Sequence, residues 1–360
     1  MRKILLSAVS LASVVLLVSA ARGQRVDIVW DKTSLVQVCA DQSGYARMIT
    51  LGGDSLLCIY ESRGAIKCSV SSDRGRRWQP FSTVAAPEPG INMAAPDVIS
   101  LKDHSLLAAY NPRPYGHDTT KRFSIRTRIS YDGGRTWTDE RTLYTASYLF
   151  DDGCWEPAPM VMPSGKIGLF FSNEGIYTHS AEQNISLLRS SDAGKTWSAE
   201  PEIVSFRPQY RDGMPTPIVL QGTGDVLFSI EDNYHGQFKP SIIWMDGGRS
   251  YNVVPGIPDS VYAGAPFLRQ LHSGETILSY QTTLHRVNKW QLSAMMVAVG
   301  NEACLDFHNV TPPFDVPLTA HGLWNSLCIL PDDTIIGVTS TDAYGTPSSV
   351  WMIKGRLVRR

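Results

Sequence analysis

Short apolar runs rich in β-branched and aromatic residues recur along the chain, and clusters of Gly, Asp and Ser separate them. Residues 46–51, for example, lead into a Gly-Gly-Asp turn and then into the apolar run 56–60. Two short β-rich arms joined by turn residues predict a β-hairpin. No repeat shows the 3.6-residue period of an amphipathic helix over ten or more residues. The pattern therefore predicts an all-β chain.

This hairpin pattern occurs six times. Its first arms span residues 46–51, 96–101, 157–162, 215–220, 266–271 and 325–330. The last residues of successive arms are 50, 61, 58, 51 and 59 positions apart. Periods of this size are typical of propeller blades or solenoid arrays.

A second repeat, S-x-D-x-G-x-x-W, lies between the hairpins at residues 71–78, 130–137 and 190–197, with a degenerate copy at 244–251. The Asp can cap the tight turn that Gly allows, and the aromatic residue then packs back. This motif is the Asp-box, and with it the chain resembles the sialidase superfamily. The resemblance implies an all-β six-bladed β-propeller of four-stranded antiparallel blades.

A propeller has to be closed into a ring, because each open sheet edge is a liability. The strand-like residues 26–38 are expected to supply the outer strand of the last blade, beside residues 349–355. One propeller domain is then expected to span residues 24–360.

The N-terminal residues have the order of a secretory signal peptide. Arg2 and Lys3 precede the apolar run 4–18, and small residues follow at 19–21. The run is shorter than the roughly 20 residues that a membrane span needs. We therefore expect residues 1–23 to be removed and the protein to be secreted or periplasmic, with no membrane span.

Composition narrows the possible partners. The chain has 33 Lys and Arg against 34 Asp and Glu, a formal net charge of −1, so it lacks a basic field for nucleic acid. No phosphate-binding, dinucleotide or zinc-protease motif occurs, and we expect neither a cofactor nor a metal. Six cysteines lack metal-ligand spacing. A local Cys58–Cys68 disulfide and buried free thiols are both open alternatives.

Blade geometry predicts which residues share a face. In an up-and-down blade, residues before the first strand and after the second lie on one face, and the Asp-box turns lie on the other. The predicted face carries the following acids, arginines, indoles and carboxamide: Arg47, Glu61, Asp97, Asn111, Arg113, Trp155, Glu156, Glu174, Glu231, Asp232 and Trp324. This mixture suits an oligosaccharide or polysaccharide, because polar groups bind hydroxyls and aromatic faces cover C–H surfaces. We expect the protein to be a monomer that binds such a substrate.

Glycoside cleavage usually needs two carboxyl groups, one protonated and one ionised. Glu156, Glu174 and Glu231 are the leading catalytic candidates, and Asp97, Asp232 and Glu61 form a second tier. Each acid could instead be a structural group in an ion pair or a loop. The expected substrate-binding residues are Arg47, Asp97, Asn111, Arg113, Trp155, Asp232 and Trp324.

Two enzyme branches of the superfamily fit these residues to different degrees. Residues 47–51 look like a degenerate form of the arginine-bearing motif of true sialidases, which also use a Tyr nucleophile backed by a Glu. However, Gly213 and Gly264 stand near positions where that branch has further arginines. Trp324 stands where the tyrosine is expected, with Tyr262 as a possible substitute.

The second branch is the exo-arabinanase-like family 93 of glycoside hydrolases. Residues 155–157 with 171–174, and residues 212–215 running to Glu231, resemble the two glutamate-bearing regions of that family. The resemblance implies a retaining exo-hydrolase of arabinan-type or related glycans. By this similarity Glu156 is the acid/base, Glu231 the nucleophile and Glu174 the alternative acid. A non-catalytic glycan-binding propeller is the alternative from another class.

Overall fold

The computed structural model describes residues 26–116 and 118–359, and these residues form six four-stranded antiparallel sheets. Apart from strands, they contain two short 3-10 turns, Phe150–Asp152 and Trp290–Leu292. The predicted signal peptide lies outside the described residues. In the described part, no helix is long and apolar enough to cross a membrane.

Each sheet is one blade of a propeller, and in five of the six the strands follow chain order from the axis outward. Blade 1 consists of β2 (Gly44–Gly52), β3 (Ser55–Ser62), β4 (Ala65–Ser71) and β5 (Gln79–Ala85). Blade 2 consists of β6 (Ile91–Ser100), β7 (Leu106–Pro114), β8 (Ser124–Ser130) and β9 (Thr138–Thr145). Blade 3 consists of β10 (Cys154–Val161), β11 (Ile167–Asn173), β12 (Asn184–Ser190) and β13 (Glu202–Ser205).

The remaining blades follow the same plan. Blade 4 consists of β14 (Asp212–Val219), β15 (Val226–Asp232), β16 (Lys239–Trp244) and β17 (Arg249–Ser250). Blade 5 consists of β18 (Ala263–Gln270), β19 (Thr276–Thr282), β20 (Ala294–Gly300) and β21 (His308–Thr311). Blade 6 combines β22 (Gly322–Ile329), β23 (Ile335–Thr341) and β24 (Ser349–Arg359) with the N-terminal β1 (Val26–Gln37). The predicted six-bladed fold is confirmed.

Ring closure follows the sequence prediction. Strand β1 pairs antiparallel with β24, from Val26 opposite Arg359 to Asp31 opposite Lys354. Side chains of neighbouring blades then form the core; Leu57 of blade 1, for example, shares an apolar cluster with Val98 and Leu106 of blade 2. The stability of the molecule therefore depends on contacts between adjacent sheets.

The three complete Asp-box turns join the third and fourth strands of blades 1 to 3, as the repeat predicted. In the second box, Ser130 Oγ accepts the Gly134 N–H at 2.8 Å. Asp132 Oδ1 accepts the Thr136 N–H at 2.9 Å. These side chains replace backbone partners that the tight turn cannot supply, so the conspicuous Asp residues have a structural role.

Each innermost strand carries a bulge with one non-glycine residue in the left-handed region, at φ between 45° and 53°. The six residues are Tyr45, Ala95, Glu156, Met214, Ala265 and Trp324. The pairing register shifts at each of these points. Four of the six form a buried apolar cluster with Trp324 packed against it, and we call this cluster the axial plug. Glu156 is therefore the one acidic member of a ring of equivalent positions.

Hydrogen bonds between blades hold these bulges in place. In five of the six blades, a side chain near the end of the second strand accepts the backbone N–H of the next blade's bulge residue. The pairs are Glu61–Ala95 (2.6 Å), Ser172–Met214 (2.9 Å), Glu231–Ala265 (2.8 Å), Gln281–Trp324 (2.7 Å) and Ser340–Tyr45 (3.1 Å). Glu61 and Glu231 thus have a structural role at equivalent positions.

The six cysteines are free thiols. Cys68 lies opposite Ile59 in the β3–β4 pairing, whereas Cys58 lies opposite Ser69. Since adjacent residues of a strand point to opposite faces, Cys58 and Cys68 lie in different apolar clusters. The local disulfide alternative is therefore wrong.

Candidate functional site

Glu156, Glu174 and Glu231 lie together on the face of the propeller where the second strands end. Glu156 occupies the bulge of β10, Glu174 directly follows β11, and Glu231 is the penultimate residue of β15. The charge of Glu156 raises the pKa of both Glu174 and Glu231. We call these three residues the central acidic cluster.

Glu231 is the member that holds its proton most readily. The pKa of its carboxyl is raised to about 7, mainly by burial and also by the nearby Glu156, while the Ala265 N–H and Arg211 oppose the rise. A carboxylic acid with this pKa can both release and recover a proton near neutral pH. Glu231 therefore has the property that a general acid/base requires.

Glu174 is held on several sides. Its side chain accepts the Trp155 indole N–H at 2.9 Å and a Gln183 amide hydrogen at 3.2 Å, and it forms an ion pair with Arg211. Burial raises the pKa of this carboxyl, and Arg211 opposes the rise. Only 3% of Glu174 is exposed, so its environment favours a fixed anchor for Trp155 and Arg211.

Glu156 faces Arg113 across a 3.3 Å ion pair, and its side chain is 18% exposed. Burial raises the pKa of Glu156, and Arg113 is the largest influence that lowers it. Asn111 Oδ1 accepts the Arg113 Nε–H at 2.7 Å, and the guanidinium lies 4.9 Å from the Trp155 ring. Asn111 therefore acts by positioning Arg113, and Arg113 favours the ionised form of Glu156.

The two predicted indoles differ in accessibility. Trp155 is 6% exposed and packs against Phe123 and Phe150, with ring centroids 4.9 Å and 4.7 Å away. Trp324 is partly exposed and stacks on Tyr45 at 5.4 Å. Trp324 can therefore offer a ring face to a ligand, whereas Trp155 supports the carboxylate of Glu174.

Arg47 and Asp97 lie deeper along the axis, two residues beyond the bulges of β2 and β6. Arg47 is 7% exposed and lies 4.5 Å from the Tyr45 ring and 4.7 Å from the Phe267 ring. Asp97 is 8% exposed, and burial raises its pKa. They line a very small internal cavity that Glu156 also contacts. The structure thus brings both residues to the axis but encloses them.

Asp232 is not brought to the central acidic cluster. It follows Glu231 along β15, so its side chain faces the opposite side of the sheet. There it is 1% exposed and pairs with Arg207 at 3.1 Å. The Arg207 guanidinium is itself surrounded by three tyrosine rings, each 4.9 Å away. This arrangement ties blade 4 to a neighbouring loop.

The structure adds Arg211 and Gln183 to the candidate residues, and it places Tyr262, which the sequence offered as a possible substitute nucleophile, in the same site. Arg211 and Gln183 both bind Glu174, and Tyr262 lies beside Glu231. A Cβ placed on Gly264 would lie 2.4 Å from both Glu231 Oε2 and Tyr262 Oη. The missing side chain at Gly264 therefore makes room for this pair. The signal in the sequence is positional, because Arg211 and Tyr262 each precede a bulge by three residues.

Comparisons with known proteins agree with this architecture. Residues 116–218 match the family model of the BNR repeat-like domain. An α-L-arabinanase from Penicillium chrysogenum in complex with arabinobiose has a TM-score of 0.68 at 18% identity, covering 89% of this chain and 97% of that one. The family 93 α-L-arabinofuranosidase of Fusarium graminearum with arabinobiose has a TM-score of 0.67 at 16% identity, covering 91% and 97%.

A sialidase is also similar. The Trypanosoma rangeli sialidase has a TM-score of 0.60 at 11% identity, covering 91% of this chain and 59% of that one. No curated protein sequence matches the chain. At these identities the similarity establishes the fold, a BNR-type six-bladed propeller whose structural neighbours include glycoside hydrolases. The predicted resemblance to the sialidase superfamily is confirmed at that level.

Proposed function

We propose that this protein is a secreted or periplasmic, exo-acting, retaining glycoside hydrolase that removes neutral sugars of the arabinan type from glycan ends. The observation that carries the proposal is the central acidic cluster. In it, Glu231, whose pKa is about 7, shares a site with Glu156, which pairs with Arg113. One protonated and one ionised carboxyl are what glycoside cleavage requires.

We propose roles that reverse those carried over from the sequence resemblance, because burial favours the protonated form of Glu231 and Arg113 favours the ionised form of Glu156. Glu231 donates its proton to the glycosidic oxygen as the bond to the anomeric carbon breaks. The Glu156 carboxylate, whose ionised form is favoured by the ion pair with Arg113, attacks that carbon and forms a glycosyl ester. Glu231 then takes a proton from water, and the resulting nucleophile releases the sugar and regenerates Glu156. Glu174 positions Trp155 and Arg211.

Charge favours a neutral sugar. Four carboxyl groups (Glu61, Glu156, Glu174 and Glu231) surround the site, and burial raises the pKa of each. Arg113 and Arg211 are the cations in direct contact with this cluster, while Arg47 is enclosed beneath the axial plug. A carboxylated sugar would meet few accessible positive groups. The two arabinose-related structural neighbours support an arabinan-type substrate.

The axial plug also favours an exo mode of attack. Tyr45, Ala95, Met214 and Ala265, which occupy the same ring of bulge positions as Glu156, pack together and close the axis at the cluster. A chain therefore cannot thread through the ring, and a terminal unit is the part that fits a closed base.

One observation favours a second candidate, an exo-α-sialidase. The Tyr262 hydroxyl and the Glu231 carboxyl flank Gly264, which is the pairing that a tyrosine nucleophile backed by a glutamate needs. Under this alternative, Tyr262→Phe would abolish the release of sialic acid. Under the main proposal it would leave most of the arabinosidase activity.

The test is turnover of a panel of chromogenic arabinosides, sialosides and uronides by wild type, Glu231→Gln, Glu156→Gln and Glu61→Gln. Glu61 is the matched control, because it makes the same hydrogen bond to the next blade as Glu231 does. We expect at least a 1,000-fold loss for the Glu231 and Glu156 variants, of the order seen for essential groups, and less than tenfold for the control. NMR of the first product should show a retained anomeric configuration.

Equal losses for Glu231→Gln and Glu61→Gln would mean that Glu231 is only a structural clamp. Binding of glycans without turnover of any panel member by the wild type would favour the non-catalytic glycan-binding propeller.

A further inference from the structure

A second polar depression lies on the same face as the central acidic cluster. Blades 6, 1 and 2 enclose a groove of about 460 Å³, which we call the rim groove. Its lining residues that matter here are Glu61, Ser62, Asn92, Tyr115, His321 and Trp324. Its volume falls within the range of about 300–1,000 Å³ that is usual for small-ligand sites.

The rim groove is connected to the central acidic cluster. Glu61 lines the groove, and Arg113 is the largest influence that lowers the pKa of its carboxyl. Arg113 also forms the ion pair with Glu156. Trp324 lines the groove as well, and the Tyr45 ring on which it stacks belongs to the axial plug. A ligand at the cluster can therefore extend directly into the groove.

Glycine residues at the base of the groove leave space for a ligand, because they have no side chain to fill it. Gly44 and Gly64 belong to its lining, and a Cβ on Gly44 would lie 3.3 Å from Ser340 Oγ. Tyr115 stands at the outer side with 59% of its surface exposed. Its N–H is bound to the Gly90 carbonyl at 2.9 Å, which fixes the backbone under the ring.

Several polar groups in the groove lack partners among the described residues. Ser62 is 2% exposed, yet its hydroxyl makes no hydrogen bond there. A buried hydroxyl without a partner costs on the order of 1–3 kcal/mol, so a ligand that supplies one is favoured. Asn92 is half-buried, and its carboxamide is free to bind in the same groove. Unused hydrogen-bonding groups in a groove that two aromatic rings also line suit a sugar.

We propose that the rim groove binds a second sugar unit of the substrate, covalently joined to the unit held at the central acidic cluster. This rests on the proposed function, and it adds that the enzyme prefers oligosaccharides to monosaccharide glycosides. Tyr115 and Trp324 cover the C–H faces of the second unit. Ser62 and Asn92 bind its hydroxyls.

The experiment compares two substrates in each variant: an α-L-arabinofuranosyl fluoride, which fills one sugar position, and α-1,5-arabinotriose. The variants are Tyr115→Ala and Asn92→Ala, with Tyr131→Ala as the matched control, because Tyr131 is equally exposed (58%) but belongs to an Asp-box turn on the opposite face. We expect the ratio of kcat/KM for trisaccharide over fluoride to fall about tenfold in both groove variants, as loss of one stacked aromatic or hydrogen-bonded contact would produce. It should stay constant in the control.

An unchanged ratio in both groove variants would overturn the proposal, even if both substrates are hydrolysed. If the wild type hydrolyses neither substrate, the proposed function is wrong. Binding measurements then test separately whether the rim groove holds a sugar unit. An array of neutral oligosaccharides of one to four units would be probed with wild type and Tyr115→Ala. Stronger wild-type binding to longer chains, lost in the variant, would retain the groove; binding independent of length, or no binding, would refute it.

Discussion

Glu231 combines an interblade hydrogen bond with a carboxyl that resists ionisation. Its ordinary pKa is 4.5, and burial raises it to about 7 in the folded protein. Between these values the folded state binds more protons than the unfolded state, so the free energy of unfolding falls as pH rises. The full loss, on the order of 3 kcal/mol, is reached above pH 7.

The first prediction follows from this fall in the free energy of unfolding as pH rises. Glu231→Gln removes the ionisable group, and the amide oxygen can still accept the Ala265 N–H. The free energy of unfolding of this variant, relative to wild type, should rise by on the order of 2 kcal/mol between pH 5 and pH 8. Urea denaturation at both pH values measures it, with the exposed Glu202→Gln as control. A parallel pH dependence for Glu231→Gln and wild type would contradict it.

The second prediction concerns Arg113 and the ionisation of Glu156. Arg113→Gln removes the largest influence that lowers the pKa of Glu156, so that pKa should rise. Because the proposed nucleophile acts as a carboxylate, the acid limb of kcat/KM should move upward by about one pH unit. Arg113→Lys should restore part of the shift. An acid limb that does not move in Arg113→Gln would mean that Glu156 is not the group that must ionise.

Individual residues show where sequence reasoning stops. Blade geometry brings the acids at strand ends to one face. On this basis the sequence identifies Glu156, Glu174 and Glu231 as candidates. Asp232 was included on the same reasoning, yet one step along a strand reverses the face. Arg47 is enclosed because two aromatic rings cover its guanidinium. Tyr45 belongs to the same strand, whereas Phe267 belongs to blade 5. Such long-range burial is not encoded in local pattern.

At the scale of elements, the hairpins and Asp-boxes were predictable because they repeat with fixed spacing and specific turn residues. The bulges were not. Their left-handed residues include Tyr45, Glu156 and Trp324, which share no side-chain property. Proline follows four of the six, which is the one local sign in the sequence. At five of the six positions, all except Glu156, a hydrogen bond from the preceding blade supports the conformation.

The third prediction tests the separation of structural and functional faces. Ser130→Ala removes the hydroxyl that accepts the Gly134 N–H and bonds to Asp132. Ser130 is fully buried, so the unpaired groups should lower the free energy of unfolding by about 1–2 kcal/mol in urea titrations. Turnover should not change, because the Asp-box lies on the face opposite the central acidic cluster. A lower kcat, measured under conditions in which the variant is fully folded, would show that the two faces are coupled.

At the scale of the whole molecule, closure of the ring joins the two ends of the described chain. Strand β1 contributes Ile28 to an apolar cluster, and the Trp30 indole N–H donates to Thr311 Oγ1 at 3.0 Å, in the neighbouring blade 5. Trp30 also packs so closely on Gly355 that a Cβ there would lie 2.6 Å from Trp30 Cε3. Blade 6 without β1 would expose the edge of β24 and part of this core.

The last prediction follows from that dependence. A protein starting at residue 24 should fold and unfold cooperatively, whereas one starting at residue 38 should aggregate or lose its single transition, since each blade is stable only against both neighbours. Because a large truncation can fail for several reasons, Trp30→Ala is the milder test. It removes the Thr311 bond and the Gly355 contact, and because Trp30 is half-buried it should cost about 2–3 kcal/mol, below the usual range for a fully buried tryptophan. The exposed Val29→Ala in the same strand is the control. If Trp30→Ala were no more harmful than Val29→Ala, the N-terminal strand would contribute little to stability, and packing between the other strands of neighbouring blades would have to hold the ring together.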